Sequence, residues 1–208
     1  MIRIALTKGR IEKKAVEILQ KAGYDISELE DKGRKLVFKL GKDDIEVVLA
    51  KAADVITYIE HGVCDVGIVG EDTIMEHGKW FHELLDLNFG KCKFALAGIK
   101  GKDFYEGYTH KIIASKYPNV TKNYFNSKGI DVEIVKIEGS VELAPILNLA
   151  DAIVDIVETG STLRENGLEV YEDVAYISTR LIVNTAAIKL KKKEIDEFVA
   201  RISAQIEA

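Results

Sequence analysis

Short apolar stretches with strand character recur along the chain, and most of them are followed by an amphipathic helical pattern. The first such pair consists of IRIAL at 2–6 and a helical segment at 10–23, which is closed by Gly23. This alternation predicts an α/β fold in which helices connect the strands. DAIVDIV at 151–157 is mostly apolar, so we expect this strand to be buried on both faces of its sheet.

Two strand patterns break the alternation. KLVFKL at 35–40 and IEVVLA at 45–50 are separated only by GKDD, and this spacing predicts a hairpin. The other predicted strands cover 64–70, 94–99, 111–115, 132–137 and 176–187, and the other predicted helices cover 53–62, 117–129, 140–150 and 191–208. No internal repeat or Pro/Ser-rich linker marks a boundary, so the residues alone leave open one large domain or two small lobes.

Charged residues of both signs are interspersed along the 208 residues, and their formal sum is −5. This argues against a broad basic face for nucleic acid, so an anionic ligand must be bound by local cations. We read Lys189 together with the basic run at 191–193 as a solvated helix face. The chain shows neither a signal peptide nor a membrane-spanning stretch, and we expect a cytoplasmic location. Cys64, Cys92 and the four histidines lack the spacing of a disulfide framework or a zinc site.

A cluster of hydroxyl groups around a glycine, ETGST at 158–162, follows the apolar strand 151–157. Unpaired amides at a helix start, a glycine that allows close approach, and hydroxyl donors together suit a phosphate monoester. Taken alone, these residues favour a simpler interpretation, in which Ser161 or Thr162 caps a helix and Gly160 turns the chain. Asp155 changes that balance, because an acid on an apolar strand below the loop is placed to accept hydrogen bonds from ribose hydroxyls.

Cations follow or precede several predicted strands. Lys8 and Arg10 occupy the turn after the first strand, where open α/β sheets bind ligands, although a solvated turn is an equally good interpretation. Arg34 precedes KLVFKL and Lys51 follows IEVVLA, and only their combination with Lys8 and Arg10 argues for a polyanion site. The acidic pair at 71–72 suits either a helix N-cap, which we favour, or a contact with a metal-bound phosphate.

Six motifs point to one family, and the last two are highly specific in their order and spacing, while the other four are moderately specific. The six motifs are LTKGRI at 6–11, RKLVF at 34–38, AADVITYIEHGVCDVGIVGED at 52–72, ASKYPN at 114–119, GSVELAP at 139–145 and ADAIVDIVETGSTLRENGL at 150–168. With these motifs the chain resembles the ATP phosphoribosyltransferase family, the first enzyme of histidine biosynthesis, over essentially its whole length. Because the sequence ends soon after the last predicted helix, it resembles the short form, which lacks a C-terminal regulatory domain.

The resemblance implies a two-lobed α/β fold like that of type II periplasmic binding proteins, with mixed sheets and the active site in the interlobe cleft. Lobe I would consist of 1–92 plus 180–208 and bind ATP and pyrophosphate, and lobe II of 93–179 would carry the phosphoribose loop. The family uses Mg²⁺ to join N1 of ATP to C1 of phosphoribosyl pyrophosphate, with release of pyrophosphate and inversion at C1. The short form works with a regulatory subunit that resembles histidyl-tRNA synthetase, in a hetero-oligomer.

The same resemblance assigns roles to residues that the motifs share. The substrate 5-phosphate and ribose would be bound in lobe II by Glu142, Asp155, Thr159, Gly160, Ser161 and Thr162. In lobe I, Lys8 and Gly9 would bind substrate, while Arg10, Arg34 and Lys51 would act catalytically by offsetting charge on the leaving pyrophosphate. We expect Mg²⁺ to arrive with phosphoribosyl pyrophosphate, with no metal site formed by the protein alone.

Three positions depart from the family pattern. Thr7 stands where the family usually has proline, Lys51 where it usually has arginine, and Glu71 where lysine is common. A lysine at 51 replaces a fork-shaped phosphate contact with a point charge, and the role of position 71 is open. Two alternative functions are a non-enzymatic two-lobed domain that binds an anion or small molecule, and a phosphoribosyltransferase that acts on another base.

Overall fold

Two mixed β-sheets, each with its own helices, organise the chain in a computed structural model that describes residues 1–41, 44–107 and 110–206. Unit 1 consists of Met1–Gly90 with Ser178–Ala208, and unit 2 of Lys91–Ile177. The chain therefore changes units at 90/91 and 177/178, whereas the resemblance implies 92/93 and 179/180. The predicted GKDD turn includes Lys42 and Asp43, which lie outside the described residues.

In the described part of the chain, unit 1 begins with nine helices and strands and gains three more after the chain returns. The first nine are β1 (Ile2–Thr7), α1 (Arg10–Lys21), α2 (Ser27–Glu30), β2 (Val37–Lys39), β3 (Ile45–Ala50), α3 (Ala52–Glu60), β4 (Val66–Gly70), α4 (Glu71–His77) and β5 (Phe81–Asp86). Unit 2 contains β6 (Cys92–Ile99), β7 (Lys111–Ser115), α5 (Pro118–Ser127), β8 (Val132–Lys136), α6 (Leu143–Ile146), β9 (Ala152–Val157), α7 (Ser161–Glu165) and β10 (Leu168–Ile177). The returning segment forms β11 (Thr179–Asn184), α8 (Ala187–Leu190) and α9 (Lys192–Ile206).

The sheet of unit 1 has the order β2-β3-β1-β4-β11-β5. The adjacent strands β3, β1 and β4 are parallel, and Thr7 of β1 is aligned with Ala50 of β3. β2 pairs antiparallel with β3 through Phe38 and Val47, which confirms the predicted hairpin. Because β3, β1 and β4 run in the same direction, the loops that follow them meet at one edge of the sheet.

Strand β1 separates two cores of unit 1, because successive side chains of a strand point to opposite faces. Leu6 packs with Leu19 of α1 and Phe198 of α9 on one face, and all three are buried. Ala5 lies on the other face with Ile59 of α3. Full burial of one large apolar side chain stabilises the fold by about 1.5–3 kcal/mol. This packing fixes α1, whose first turn directly follows the carboxyl end of β1.

The sheet of unit 2 has the order β10-β6-β9-β7-β8, in which β9 is the central strand. β9 is antiparallel to β6 and parallel to β7. Ile153 of β9 belongs to one core cluster and Val154 to the cluster on the opposite face, and both side chains are fully buried. The prediction that this strand is buried on both faces is thus confirmed.

Several predicted elements differ from the observed ones. The strand expected at 176–187 is two strands, because β10 ends at Ile177 and β11 begins at Thr179. The helix expected at 140–150 is reduced to Leu143–Ile146. Pro145 has no amide hydrogen to continue the helix, and Asn148 adopts a left-handed conformation with φ 56°.

The basic run 191–193 was predicted as a solvated face, and this is wrong for Lys191. Its ammonium group lies 2.8 Å from the carboxylate of Asp65, which is itself buried. Lys192 and Lys193 are exposed and pair with acids one helical turn further along α9. Among the described residues, no helix is both long and apolar enough to span a membrane.

Candidate active site

The carboxyl-terminal edge of the unit 1 sheet brings together the predicted cations of that unit. The amide of Lys8, just after β1, donates a hydrogen bond to the carbonyl of Ala50, the last residue of β3, at 2.9 Å. Lys51 follows Ala50 and is the N-cap of α3, while Arg10 is the first residue of α1. The side chains of Lys8, Arg10 and Lys51 are all exposed. Two adjacent parallel strands therefore place these three cations at one edge.

Arg34 lies at the same edge because β2 runs antiparallel to β3. The amide of Leu49 donates to the carbonyl of Leu36 at 2.9 Å, so the residues before β2 lie beside the end of β3. Arg34 is a central residue of the turn 32–35, in which the Lys35 amide donates to the Lys32 carbonyl at 3.0 Å. Arg34 is exposed.

Gly9 and Glu12 shape the turn between β1 and α1. Gly9 has φ 99° and ψ −132°, a conformation that only glycine adopts readily, and it is the N-cap of α1. Its amide donates to Oε2 of Glu12 at 3.2 Å. Glu12 is buried with 7% of its surface exposed, and its Oε1 is also ion-paired with Lys32. The sequence interpretation missed Glu12, although an acid three residues after an N-cap is a known capping signal.

The loop 158–162 of unit 2 connects β9 to α7. Gly160 is the N-cap of α7 with φ 70°, a left-handed conformation, and the amide of Arg164 donates to its carbonyl at 3.1 Å. The hydroxyls of Thr159 and Ser161 lie 3.0 Å apart, and Thr162 is exposed. The simpler interpretation is wrong for Ser161 and Thr162, because α7 has no side-chain cap, but Gly160 does turn the chain. With five residues α7 adds little dipole, so amides and hydroxyls would provide the contacts to an anion.

Asp155 lies on β9 between Ile153 and Val157, whose side chains share one face of the sheet. Its carboxyl group is partly buried, and this burial is the main reason that its pKa rises from 3.8 to about 6. The nearby negative charge of Glu142 raises the pKa further, while the amide of Ile156 and the charge of Lys116 lower it. Glu142 and Asp155, both predicted to lie near the ribose, are thus close enough for their charges to interact.

The GSVELAP segment and the loop 158–162 are packed against the same face of the unit 2 sheet. Val141 and Ala144 flank Glu142 and are buried in one cluster with Val157 and Leu163. Glu142 itself is partly exposed and immediately precedes α6. The core on this face thus fixes the backbone on both sides of the predicted ribose-binding acids.

Histidine, cysteine and acidic side chains do not gather into a metal centre in the part of the chain that the structure describes. There, no group of three or more such residues is close enough to hold a metal ion. Cys64 is buried, and burial raises the pKa of its thiol to about 11, so it is not poised to be a nucleophile.

Each unit therefore assembles its own set of predicted residues. Lys8, Gly9, Arg10, Arg34 and Lys51 lie at one edge of the unit 1 sheet. Glu142, Asp155 and the loop 158–162 lie on one face and at the end of the central strand of unit 2.

Comparison with known proteins identifies the family. The profile of the ATP phosphoribosyltransferase family matches residues 51–204. A protein of Clostridium kluyveri named ATP phosphoribosyltransferase is 62% identical over 205 residues, which are 99% of this chain and 94% of the relative. The chain belongs to the ATP phosphoribosyltransferase family.

As a member of this family the protein is an enzyme, a phosphoribosyltransferase of the first step of histidine biosynthesis. The prediction that the protein is an enzyme is confirmed. The ATP phosphoribosyltransferase activity is favoured over the two alternative functions, a non-enzymatic binding domain and a phosphoribosyltransferase that acts on another base. A structure titled as the ATP phosphoribosyl transferase (HisG:HisZ) complex of Thermotoga maritima has a TM-score of 0.85 and 36% identity, and covers 100% of this chain and 99% of that chain.

The predicted fold class is also confirmed. The aliphatic sulphonate binding protein SsuA of Escherichia coli, a periplasmic protein, has a TM-score of 0.60 at 13% identity. That comparison covers 99% of this chain and 72% of the other. At this identity the likeness concerns the fold alone, which is α/β with two mixed sheets and like that of type II periplasmic binding proteins. The location of the active site between the lobes stays a prediction.

Two departures from the family pattern have structural explanations. The hydroxyl of Thr7 is buried and donates to the carbonyl of Ile68 at 3.0 Å, which ties β1 to β4 in a way that proline could not. Glu71 accepts two hydrogen bonds from Arg180, at 3.1 and 2.8 Å, and one from the amide of Ser178 at 3.2 Å. The favoured interpretation of 71–72 as an N-cap is wrong, because the N-cap of α4 is Gly70 and Glu71 lies in the first turn.

Proposed function

We propose that the two sets of residues divide the substrates of the transfer reaction between them. The cations of unit 1 bind ATP and the pyrophosphate group, and the acids and loop of unit 2 bind the phosphoribosyl group. The 5-phosphoribosyl group then passes from phosphoribosyl pyrophosphate to N1 of ATP, which gives phosphoribosyl-ATP and pyrophosphate with inversion at C1. The observation that best supports this division is the meeting of Lys8, Lys51 and the Arg34 turn at one sheet edge.

In unit 2, the loop 158–162 would bind the 5-phosphate of the substrate. Its glycine turn leaves the backbone accessible, and the hydroxyls of Thr159, Ser161 and Thr162 add donors. Asp155 and Glu142 would accept hydrogen bonds from the ribose hydroxyls. A negative charge close to the ribose also favours the positive charge that develops at C1 as the bond to pyrophosphate breaks.

In unit 1, Lys8, Gly9, Arg10, Arg34 and Lys51 would bind the triphosphate of ATP and the leaving pyrophosphate. Gly9 allows the backbone to approach a phosphate closely, since no atom lies within 4 Å of the place where a side chain would begin. Arg10, Arg34 and Lys51 would offset the charge that grows on pyrophosphate in the transition state.

The chemistry of the transfer explains why position and charge matter most. Adenine N1 is a weak, neutral nucleophile, so the rate depends on weakening the bond to pyrophosphate and on aligning N1 with C1. No side chain has to remove a proton before attack. The proposed residues accordingly bind, orient and stabilise charge, and none is assigned as a general base.

Mg²⁺ is the proposed cofactor, and the site fits a metal that the substrate carries. Mg²⁺ usually keeps several of its waters and is bound by substrate phosphates together with one or two carboxylates. The exposed Lys8, Arg10 and Lys51 can contact the phosphate oxygens that such a metal leaves free. When bound, Mg²⁺ would neutralise part of the charge of pyrophosphate, and we assign it no protein ligand.

A regulatory subunit that resembles histidyl-tRNA synthetase is the proposed partner, in a hetero-oligomer through which histidine inhibits. The similarity to a chain of the HisG:HisZ complex of Thermotoga maritima, over 100% of this chain, supports an assembly of that kind. The cytoplasmic location expected from the sequence stays a prediction.

The test is an assay of the full chain with ATP, phosphoribosyl pyrophosphate and Mg²⁺, with and without the regulatory subunit. We expect pyrophosphate and phosphoribosyl-ATP to appear in equal amounts. Adenine and guanine in place of ATP serve as controls for transfer to another base. Absence of product from ATP in the presence of the subunit, or equal turnover of a free base, would contradict the proposal.

A further inference from the structure

The carboxylate of Glu12 joins two segments that carry proposed phosphate-binding cations. Its Oε2 accepts the amide hydrogen of Gly9 at 3.2 Å, and its Oε1 is ion-paired with the ammonium group of Lys32. Gly9 directly precedes Arg10, and Lys32 begins the turn that contains Arg34. Each oxygen of one carboxylate is thus bonded to one of the two segments.

The burial of Glu12 distinguishes this ion pair from ordinary surface pairs. The side chain of Glu12 is 10% exposed and that of Lys32 is 36% exposed. An exposed pair contributes little, because water and salt screen it, whereas a mostly buried carboxylate needs its partners. Among the described residues, loss of Lys32 would leave the buried carboxylate of Glu12 with the Gly9 amide as its remaining hydrogen-bond partner. The pair therefore constrains the positions of both segments.

The turn 32–35 transmits this constraint to Arg34. The carbonyl of Lys32 closes the turn by accepting the Lys35 amide at 3.0 Å, and Gly33 has φ 50°. Gly33 and Arg34 are the two central residues of this turn, so the backbone of Arg34 is fixed relative to Lys32. On the other side, the bond from Gly9 to Glu12 fixes the first turn of α1, which includes Arg10.

We propose that Glu12 and Lys32 are positioning residues that hold Arg10 and Arg34 at a fixed separation for the ATP and pyrophosphate phosphates. This inference rests on the proposed function, since it concerns residues assigned there. Neither Glu12 nor Lys32 needs to touch the substrate in this arrangement. Their contribution is the geometry of the two arginines, and small errors in such geometry reduce rates strongly.

Lys35 provides a matched control in the same turn. It is 70% exposed, and its ammonium group lies 3.9 Å from Glu28, which is 47% exposed. Lys32→Met and Lys35→Met thus remove the same charge from positions on either side of Arg34. Only the first variant breaks the bond to Glu12. A general loss of positive charge at this edge would affect both variants equally.

The experiment measures kcat and KM for each substrate in Lys32→Met, Glu12→Gln, the double variant and Lys35→Met. Each is assayed as the full chain with its regulatory subunit, and thermal unfolding confirms that it is folded. We expect Lys32→Met and Glu12→Gln each to raise the KM for ATP and lower kcat, with kcat/KM falling roughly tenfold. The double variant should be no worse than either single variant, because both remove one interaction. Lys35→Met should behave as the wild type, and Lys32→Arg should restore most activity.

Additive losses in the double variant would overturn the inference, because they would mean that Lys32 acts on the substrate independently of Glu12. Wild-type kinetics in Lys32→Met would overturn it as well. Arg34→Ala separates this failure from that of the proposed function. If Arg34→Ala is inactive while Lys32→Met and Glu12→Gln are normal, only the positioning role fails. If Arg34→Ala is itself normal, the assignment of Arg34 to the phosphates fails.

Discussion

Arg180 on β11 donates two hydrogen bonds to a single oxygen of Glu71, the first residue of α4. The two side chains are about equally shielded, with 21% of Arg180 and 20% of Glu71 exposed. The backbones of Glu71 and Ser178 are joined as well, since the Glu71 amide donates to the Ser178 carbonyl at 2.9 Å. Glu71 thus anchors the segment at which the chain returns to unit 1, and in this chain position 71 has a structural role.

Replacing Glu71 with the lysine that is common in the family should destabilise unit 1. Glu71→Gln should lower the free energy of unfolding by about 1–2 kcal/mol, and Glu71→Lys by more, because it places two cations side by side. Glu83→Gln is the control, since Glu83 is 38% exposed and lies 3.2 Å from the same guanidinium. Denaturant titration measures the free energy of unfolding of all three variants. A loss for Glu83→Gln as large as that for Glu71→Gln would contradict the special role of Glu71.

Asp155 should make the protein less stable as the pH rises through the acidic range. The pKa of its carboxyl group is about 6 in the folded chain instead of 3.8, mainly because of burial. Between these values the unfolded chain releases the proton that the folded chain keeps, so the free energy of unfolding falls by up to about 3 kcal/mol as the pH rises. Asp155→Asn removes this effect. It should be more stable than the wild type at about pH 8 and equally stable below about pH 4. A pH-independent difference in urea titrations would refute this.

The same carboxyl group should set the acidic limit of activity. If Asp155 accepts ribose hydroxyls as a carboxylate, kcat/KM for phosphoribosyl pyrophosphate should decline as the pH falls below about 6. Lys116 lowers the pKa of Asp155, so Lys116→Met should move the decline to higher pH. Lys122→Met, an exposed lysine on α5, is the matched control. The prediction fails if the two lysine variants have the same pH profile.

Gly160 should be required for binding of the 5-phosphate. Gly160→Val introduces a β-branched side chain at φ 70°, with its Cβ 3.1 Å from Nη1 of Arg164. We expect the KM for phosphoribosyl pyrophosphate to rise at least about tenfold, and that for ATP much less. Gly167→Val creates the same backbone strain at φ 71° outside the loop, where no atom lies within 4 Å. Equal changes in both KM values, or equal effects of the two variants, would count against the assignment of the loop 158–162 to the 5-phosphate.

Lys51→Arg should improve the enzyme. Lys51 is exposed at the N-cap of α3, and an arginine there could bind a phosphate through two parallel hydrogen bonds. We expect the KM for ATP to fall, or kcat to rise, by about three- to tenfold. Lys21→Arg, at the carboxyl end of α1, is the control and should change neither the KM for ATP nor kcat. Unchanged kinetics for Lys51→Arg would show that position 51 does not contact phosphate.

The site residues that could be predicted from the sequence are those that lie on a strand, directly follow one, or lie in a turn. Lys8 and Lys51 each follow an apolar strand, and the parallel pairing of β1 with β3 is enough to bring them together. Asp155 could be recognised as an acid on a buried strand, but its raised pKa depends mainly on burial in the folded unit and, to a smaller extent, on the charge of Glu142. Local pattern thus locates candidate residues, while their electrostatic coupling depends on tertiary structure.

Contacts between distant segments could not be predicted. Glu12 has the spacing of a capping acid, yet its partner Lys32 lies 20 residues further along the chain. Arg180 and Glu71 are separated by 109 residues. β5 was missed because its pattern of partly buried and exposed residues resembles a surface segment, and β11 is the strand with which it pairs. Polar pairs of this kind depend on topology, which hydrophobic periodicity does not encode.

The position of β11 in the unit 1 sheet has a consequence for synthesis of the chain. β11 lies between β4 and β5, although it follows the whole of unit 2 in the sequence. Unit 2 is one continuous segment, Lys91–Ile177, so its sequence is complete before that strand exists. During translation unit 2 can therefore fold before the unit 1 sheet is complete. Until β11 is synthesised, β5 lacks the strand with which it pairs and its backbone groups are exposed. Completion of the unit 1 sheet thus requires β11 to be inserted between β4 and β5 after unit 2 has been made.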